Sequence, residues 1–373
     1  MTLHKVLIIG GGFSGMAAAI ALRKQGVAVD LVEVDAGWRS YGAGISLGGA
    51  TLRAFGELGI LDRFLAEGHA ADGARLFTPT GQLIAELPTP RLAGPDVPGG
   101  GAIMRPVLAG ILADAVRACG TTVRLGLTFS RILQDDQGVT VGFTDGTQGR
   151  YDLVIGADGL YSATRRAIFP TAPAPAYAGQ AVWRAVVDRP ADVDCALMWM
   201  GHKVKTGVNP VSKTQMYLFV TEDRPTNDAV DPADFPRLLA DLLAGFPDPR
   251  MQTIRAGLSA ASGIVYRPLE WLLLPRPWFA SRVVLIGDAV HATTPHLASG
   301  ACIGIEDALV LADELCRAPM DAALPAFEAR RWERCRMVVE NSVRLAQIEV
   351  QGGDRAEHAG IMQQSMRALA AAI

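Results

Sequence analysis

Gly10, Gly12 and Gly15, in the stretch "GGGFSG" at 10–15, satisfy G-x-G-x-x-G. In that spacing the glycines turn the chain tightly, let backbone N–H groups approach a pyrophosphate, and seat a helix closely on a strand. Phe13 and Ser14 complete the turn, and Glu33 stands where an acidic side chain accepts hydrogen bonds from a ribose. The chemistry implied is dinucleotide binding, with the phosphates at a helix amino terminus whose N–H groups are unpaired. Two downstream stretches, "DLVIGADGLYSATRR" (152–166) and "RVVLIGDAVHATTPHLASGACIGIEDA" (282–308), repeat the order strand, Gly and Asp, helix. Asp158 and Asp288 are their acids, and each taken alone could simply cap the helix that follows.

These residues need particular elements to hold them. The apolar run from Lys5 to Gly10, the Ala-rich segment Ser14 to Gln25 stopped by Gly26, and the apolar run Ala28 to Val34 predict a βαβ unit. Its crossover is right-handed. Helical spacing recurs at 51–58 and 107–118, and short strands are expected at 122–125, 129–134, 139–143 and 151–155. "GAGISLG" (42–48) lacks a preceding buried strand and reads as a loop rather than a second nucleotide site. A Pro-rich joint at 170–176 introduces strand-type runs at 181–187, 196–200 and 215–220. Pro275 and Pro277 form a second joint, followed by a buried strand at 283–288 and a long helix from about 300 to 316.

Bulk properties narrow the function class. Half of the 373 residues are apolar, a fifth are charged, and the formal charge is −3. That balance argues against nucleic acid as a partner. No apolar run reaches the roughly 20 residues of a membrane span, and the amino terminus lacks a secretory signal pattern. Cys119, Cys195, Cys302, Cys316 and Cys335 are odd in number and unpaired in spacing, so a reducing cytoplasm is expected. His291 and His296, at i, i+5, do not share a helix face, and no metal is expected. Cys302 reads as a small packing residue rather than a reactive thiol.

The three motifs in order resemble the class A flavoprotein monooxygenases, the para-hydroxybenzoate hydroxylase-like aromatic hydroxylases, over about residues 3–345. The resemblance implies an α/β fold. A Rossmann-like FAD-binding domain (1–70, 101–170 and 276–345) carries an inserted, mostly β substrate domain (71–100 and 171–275) and ends in a helical tail (346–373). It implies FAD with its adenine half on Gly10 to Gly15 and Glu33, Arg39 close to the basic position after that acid, and Arg105 reaching the cofactor. Asp158 would serve FAD and the nicotinamide donor, and Gly287 and Asp288 the ribityl chain. The family's Pro-x-x-Gly-Gln-Gly-x-Asn continuation is only partly kept: Pro295 and Gly300 match, while Ala298, Ser299 and Cys302 depart from it. The helix start around Gly300, Ala301 and Cys302 is nonetheless expected to stabilise charge at the flavin ring.

A substrate cleft between flavin and β domain would draw on "WRAVV", "MWMGH" and "MYLFV". Arg184 is the candidate to hold an anionic or carbonyl-bearing ring, and Tyr217 and His202 to orient or deprotonate a hydroxyl. Met200, Met216 and Pro295 are candidate substrate contacts, although only one face of the strand at 215–220 can line the cleft. The implied activity is hydroxylation of a small aromatic or heteroaromatic compound with NADH or NADPH and O2, through a flavin C4a-hydroperoxide, by a monomer or homodimer. The alternatives are an NAD(P)H reductase or oxidase of the same fold and a non-catalytic flavoprotein. A flavin halogenase is disfavoured, because its Trp-x-Trp-x-Ile-Pro signature is missing.

Overall fold

Continuous apolar runs become the centre of the molecule because a parallel strand covered on both faces exposes no side to water. In the computed structural model, which describes residues 3–40 and 42–373, six strands form one sheet. Their spatial order is Phe279–Ala280, Val283–Leu285, Leu153–Gly156, Lys5–Ile9, Ala28–Glu33, Thr122–Leu125, parallel except at the first. Ile9 is level with Gly156 and Val32, and Gly156 with Leu285. Four carboxyl ends therefore finish along one line, where an open α/β sheet binds its ligand. The helix Phe13–Lys24 covers this sheet, and its small residues Gly15, Ala17, Ala18 and Ala21 let it pack against the helix Gly300–Arg317.

A second sheet has seven strands in the order Val265–Trp271, Ala176–Asp188, Gln215–Asp223, Val204–Pro210, Ala196–Met200, Ala74–Phe77, Leu83–Leu87. One of its faces buries Trp183, Leu197, Trp199, Met216, Leu218 and Val220 beneath the helices Phe235–Leu243 and Pro249–Gly257. The opposite face puts Tyr217 and Phe219 against Ala43, Ala102 and Met104. That contact runs through a three-stranded sheet of Gly44–Gly48, Gly100–Met104 and His69–Ala71. Residues 44–48, expected as loop, are thus a strand, because Gly44 finds its antiparallel partner in Met104, sixty residues away, where no local pattern announces it.

The carboxyl end is a helix Met320–Gln351, closed by Gly352 in the left-handed conformation, followed by a helix Arg355–Ala370. The first runs without interruption across the expected boundary at 345/346. Among the described residues, no helix is long and apolar enough to cross a membrane.

Candidate active site

The turn after Lys5–Ile9 needs its glycines. Gly10 has φ +107°, and a side chain there would run into the carbonyl of Ala157 and the Cα of Asp158. Gly287 has φ +61°, and a side chain there would strike the Ser14 hydroxyl, which also lies against Gly304. Ser14 is therefore the point where the first turn, the third motif and the helix Gly300–Arg317 converge. Gly12 faces open space at the start of the helix Phe13–Lys24, whose first turn has no side-chain cap. Unpaired N–H groups, positive helix end and open approach together make a cradle for a pyrophosphate.

Glu33 braces this cradle: Oε2 accepts from the Gly11 amide at 2.7 Å and Oε1 from the Asp35 amide at 2.8 Å. Each oxygen keeps a lone pair for a ribose hydroxyl. Trp38 adds a bond from Nε1 to the Gly11 carbonyl, 2.8 Å, an interaction that nothing in the local sequence signals. Arg39 is exposed and paired with Asp35 through both of that residue's oxygens, at 2.8 and 3.1 Å. Its guanidinium holds the Asp35 carboxyl well below the usual carboxylate range.

The two downstream acids differ. The Asp158 carboxylate is taken up locally: Ser162 Oγ donates to Oδ1, and Thr164 donates to Oδ2 through its amide (2.9 Å) and hydroxyl (3.0 Å). It tethers the start of the helix Ala163–Ile168, and what this residue presents to the first turn is backbone. Asp288 is open to water yet deeply enclosed by protein, which places it on the floor of a cleft. Burial raises its carboxyl, with His291 and Arg105 pulling the other way. It makes no hydrogen bond to a described residue, as a group awaiting a polyol chain should.

Arg105 and Arg184 line the same region. The Arg105 guanidinium lies 5.9 Å from the Phe13 ring centroid and beside Gly42. Arg184 lies on the strand Ala176–Asp188 opposite Phe219. Neither guanidinium has a hydrogen bond or an ion pair among the described residues, although Asp288 attracts Arg105 at longer range. Burial, then repulsion from Arg105, brings Arg184 down to about 10, with Tyr217 opposing. Tyr217 is buried and lies near enough to both to feel their charge. Its hydroxyl is bonded to Ser46 Oγ and also meets Asn209, and burial raises it while the two arginines counter that shift. Ser46 and Asn209 went unnoticed in the sequence, since one belongs to the unrecognised strand and the other is a lone amide in an apolar run.

Three expected positions are corrected. His202 is exposed in the hairpin turn between Ala196–Met200 and Val204–Pro210, so it does not meet Tyr217 or Arg184. Met216 is 2% exposed in the core beneath the seven-stranded sheet, because strand alternation sends Tyr217 to the cleft and Met216 away from it. Cys302 points into the protein, with Sγ 3.7 Å from Glu306 Oε1 and Thr51 beside it, and burial pushes its thiol up to about 12. Only its backbone is left to serve the cleft. Met200 alternates with buried Trp199 and faces the cleft side of the sheet, Pro295 begins a single helical turn Pro295–Leu297, and Gly300 and Ala301 open the next helix, both partly exposed.

Behind the Gly287–Asp288 turn lies a buried charge network in which the carboxylates are paired and His291 Nδ1 alone lacks a partner among the described residues. His291 Nε2 is 2.5 Å from Asp307 Oδ2, which also accepts the Gly287 amide at 2.9 Å. Arg331 donates to Asp307 at 2.8 Å and to Glu306 at 3.0 Å, and Arg334 donates to Glu306 at 2.7 and 2.8 Å. His291, Asp307 and Cys335 have metal-ligating atoms within 4.8 Å of one another, but the Arg331 guanidinium, 3.5 Å from the Cys335 sulfur, already supplies the positive charge there.

Residues 4–344 match the FAD binding domain family. An aurachin C monooxygenase/isomerase of Stigmatella aurantiaca is 33% identical over 348 residues, covering 92% of this chain and 89% of that protein. A 2-heptyl-3-hydroxy-4(1H)-quinolone synthase of Pseudomonas aeruginosa is 33% identical over 340 residues, covering 90% and 87%. The solved structure of Klebsiella pneumoniae HpxO with FAD and uric acid superposes with a TM-score of 0.83 at 26% identity, covering 98% of this chain and 92% of that one. A cradle for pyrophosphate, an unpartnered acid on the cleft floor and two unneutralised arginines are what such a cofactor and its substrate would require. The chain belongs to the FAD binding domain family and is, like these relatives, an FAD-dependent monooxygenase.

Proposed function

We propose that the protein uses NADH or NADPH and O2 to hydroxylate a small, planar, electron-rich aromatic or heteroaromatic compound bearing an ionised or strongly polarised oxygen. One observation carries this reading: Arg105 and Arg184 are largely enclosed near Tyr217, and neither guanidinium has a carboxylate within ion-pair distance. Buried charges are ordinarily paired, so an anionic ligand is the missing partner. The quinolone and aurachin chemistry named for the relatives, and the urate of a Klebsiella pneumoniae hydroxylase 30% identical to this chain, belong to that class.

When bound, FAD supplies hydride acceptance and oxygen activation. The chain's own residues then have distinct tasks. The turn from Gly10 to Gly15 would hold the pyrophosphate through the backbone N–H groups of Gly12, Phe13, Ser14 and Gly15, the Gly10 amide being bonded to the Val32 carbonyl at 2.9 Å, while Glu33 would hold the ribose and Asp288 with the Gly287 backbone the ribityl hydroxyls. Arg105 closes over the cofactor from the Phe13 side. Arg184 fixes the substrate's anionic oxygen, and Tyr217, kept protonated by burial and wired to Ser46 and Asn209, donates to a second oxygen. The amino terminus of Gly300–Arg317 would offer its N–H groups to negative charge on a bound flavin. Residues 71–100 and 171–275 form the substrate-binding part, since they contribute all seven strands of the second sheet. Five cysteines, all free, fit a cytoplasmic setting.

The test is to load the protein with FAD and follow NADH and NADPH oxidation with urate, 3-amino-4-hydroxybenzoate and a 4-quinolone, under 18O2. We expect one ring compound to stimulate oxidation and to gain one labelled oxygen. Stimulated oxidation that ends entirely in hydrogen peroxide would make the protein a reductase or oxidase instead. No flavin uptake at all would overturn the reading.

A further inference from the structure

A second ionic cluster lies at the other end of the motif loop, and its carboxylate comes from beyond the family match. His296, in the turn Pro295–Leu297, has a buried ring whose Nδ1 is 2.9 Å from Thr294 Oγ1 and whose Nε2 faces Glu349 Oε2 at 3.3 Å. Glu349 Oε1 accepts from Lys205 Nζ at 2.6 Å and lies 3.2 Å from His358 Nε2. The four groups come from four separate elements. Lys205 is on a strand of the seven-stranded sheet, His296 is in the loop between Asp288 and the helix Gly300–Arg317, Glu349 is near the end of the helix Met320–Gln351, and His358 is in the following helix.

The placement matters more than the pairing. The loop 292–299 joins the Gly287–Asp288 turn to the helix at Gly300, so it borders the cleft where the cofactor sheet gives way to the substrate sheet. Ala298, a non-glycine residue at φ +49°, sits in it, a conformation that persists only where the surroundings impose it. Both carboxyl-terminal helices pack on the Pro295–Leu297 turn. The match to the FAD binding domain family spans residues 4–344, short of Glu349 and His358.

We propose that Glu349 is a positioning residue for the reaction: by engaging Lys205 and His296 together it clamps the motif loop to the substrate sheet and keeps water out of the cleft. The Thr294 hydroxyl at Nδ1 fixes the His296 ring, so that Nε2 is turned toward the Glu349 carboxylate without a well-formed hydrogen bond to it. The lysine ammonium holds the Glu349 carboxyl far below its usual range against strong burial, and burial holds the His296 imidazole below its own. The clamp is thus an ion pair between Lys205 and Glu349 with a neutral imidazole beside it. The inference rests on the monooxygenase reading for its consequence, exclusion of water, but not for its geometry.

The experiment uses the full-length, FAD-loaded protein and the variants Glu349→Gln, Lys205→Met, their double mutant, and His358→Gln as a milder lesion at the half-exposed edge. The first readout is quenching of flavin fluorescence by acrylamide, which needs no substrate. The second is the fraction of NAD(P)H oxidation that ends as hydrogen peroxide. Each of the two clamp variants should raise the quenching slope and the peroxide fraction by about fivefold, with the double mutant no worse than the worse single, as for two residues sharing one contact. His358→Gln should lie between wild type and these. Wild-type quenching in the clamp variants, whatever their melting temperatures, overturns the proposal, and so do effects that add in the double mutant. If the wild-type protein oxidises no NAD(P)H, the functional reading fails while the quenching result still decides the clamp.

Discussion

Two pairs of arginines, one at a buried network and one half-buried beside the cleft, are used in opposite ways. Arg331 and Arg334 each meet carboxylates, Arg331 both Asp307 and Glu306 and Arg334 the latter, all with little or no exposure. The Arg105 and Arg184 guanidiniums have no carboxylate within ion-pair distance and repel each other near Tyr217. The first pair is internally satisfied, and its work is to fix the Gly287 amide through Asp307. The second is satisfied only when something negative enters. Compensated charge builds a frame, and uncompensated charge lining a cleft marks where a ligand belongs.

Breaking the frame should cost the most. In Arg331→Leu, Asp307 and Glu306 lose their shared donor in a fully buried setting, and removing one partner of such a pair typically costs about 3–5 kcal/mol. The melting temperature of the FAD-loaded protein should fall by about 10 °C, and FAD affinity should weaken with it because the Gly287 amide loses its anchor. An unchanged melting temperature would mean that the network is ornamental.

The same substitution on the other side of the comparison should leave stability alone. Arg184→Leu removes a charge that burial and Arg105 already disfavour, so thermal melting should stay level or rise slightly. Substrate handling should suffer instead. Losing a charge-assisted hydrogen bond of about 1.5–3 kcal/mol raises KM roughly ten- to a hundredfold. Steady-state kinetics on the compound that the wild type turns over, alongside a melt, separates the two outcomes. A large loss of stability with unchanged KM would place Arg184 in the frame.

How much of this could be read from residues alone follows the same division. The glycine turn and the strand ends were legible because positive φ and close backbone approach leave glycine as the residue that fits, and because fully covered strands write themselves as apolar runs. The cleft was less so. Alternation along 215–220 separates Tyr217 from Met216, but which set faces the cofactor depends on what the opposite face packs against, here the helix Phe235–Leu243, and that is a tertiary fact. His202 misled because a histidine beside an aromatic run looks functional, when "GHK" is the tip of a hairpin. Cys302 and Asp158 went to local needs, one to the interface with Thr51, the other to the first turn of a helix. The Lys205–Glu349 contact joins positions 144 apart and leaves no local trace.

The smallest expected effect tests whether the frame's own charge is real. Burial alone would lower the His291 imidazole, but Asp307 and Cys335 beside it outweigh that and hold it well above 6.5. Asp307, despite its burial, is held below 3.8 by His291 and Arg331. A raised histidine contributes stability that is fully present below its unfolded value and is lost as pH climbs through the folded one. A lowered aspartate contributes stability present above its unfolded value and lost as pH falls through the folded one. The pair is therefore strongest in the window between, around pH 4 to 6.5. His291→Gln keeps a donor toward Asp307 but no titrating proton, so it isolates the charge. The melting-temperature gap between wild type and this variant should be widest near pH 6 and shrink by roughly a few degrees toward pH 9. A gap constant over that range would mean that the imidazole is neutral throughout, that Asp307 is balanced by Arg331 alone, and that the buried network needs one fewer positive charge than its geometry provides.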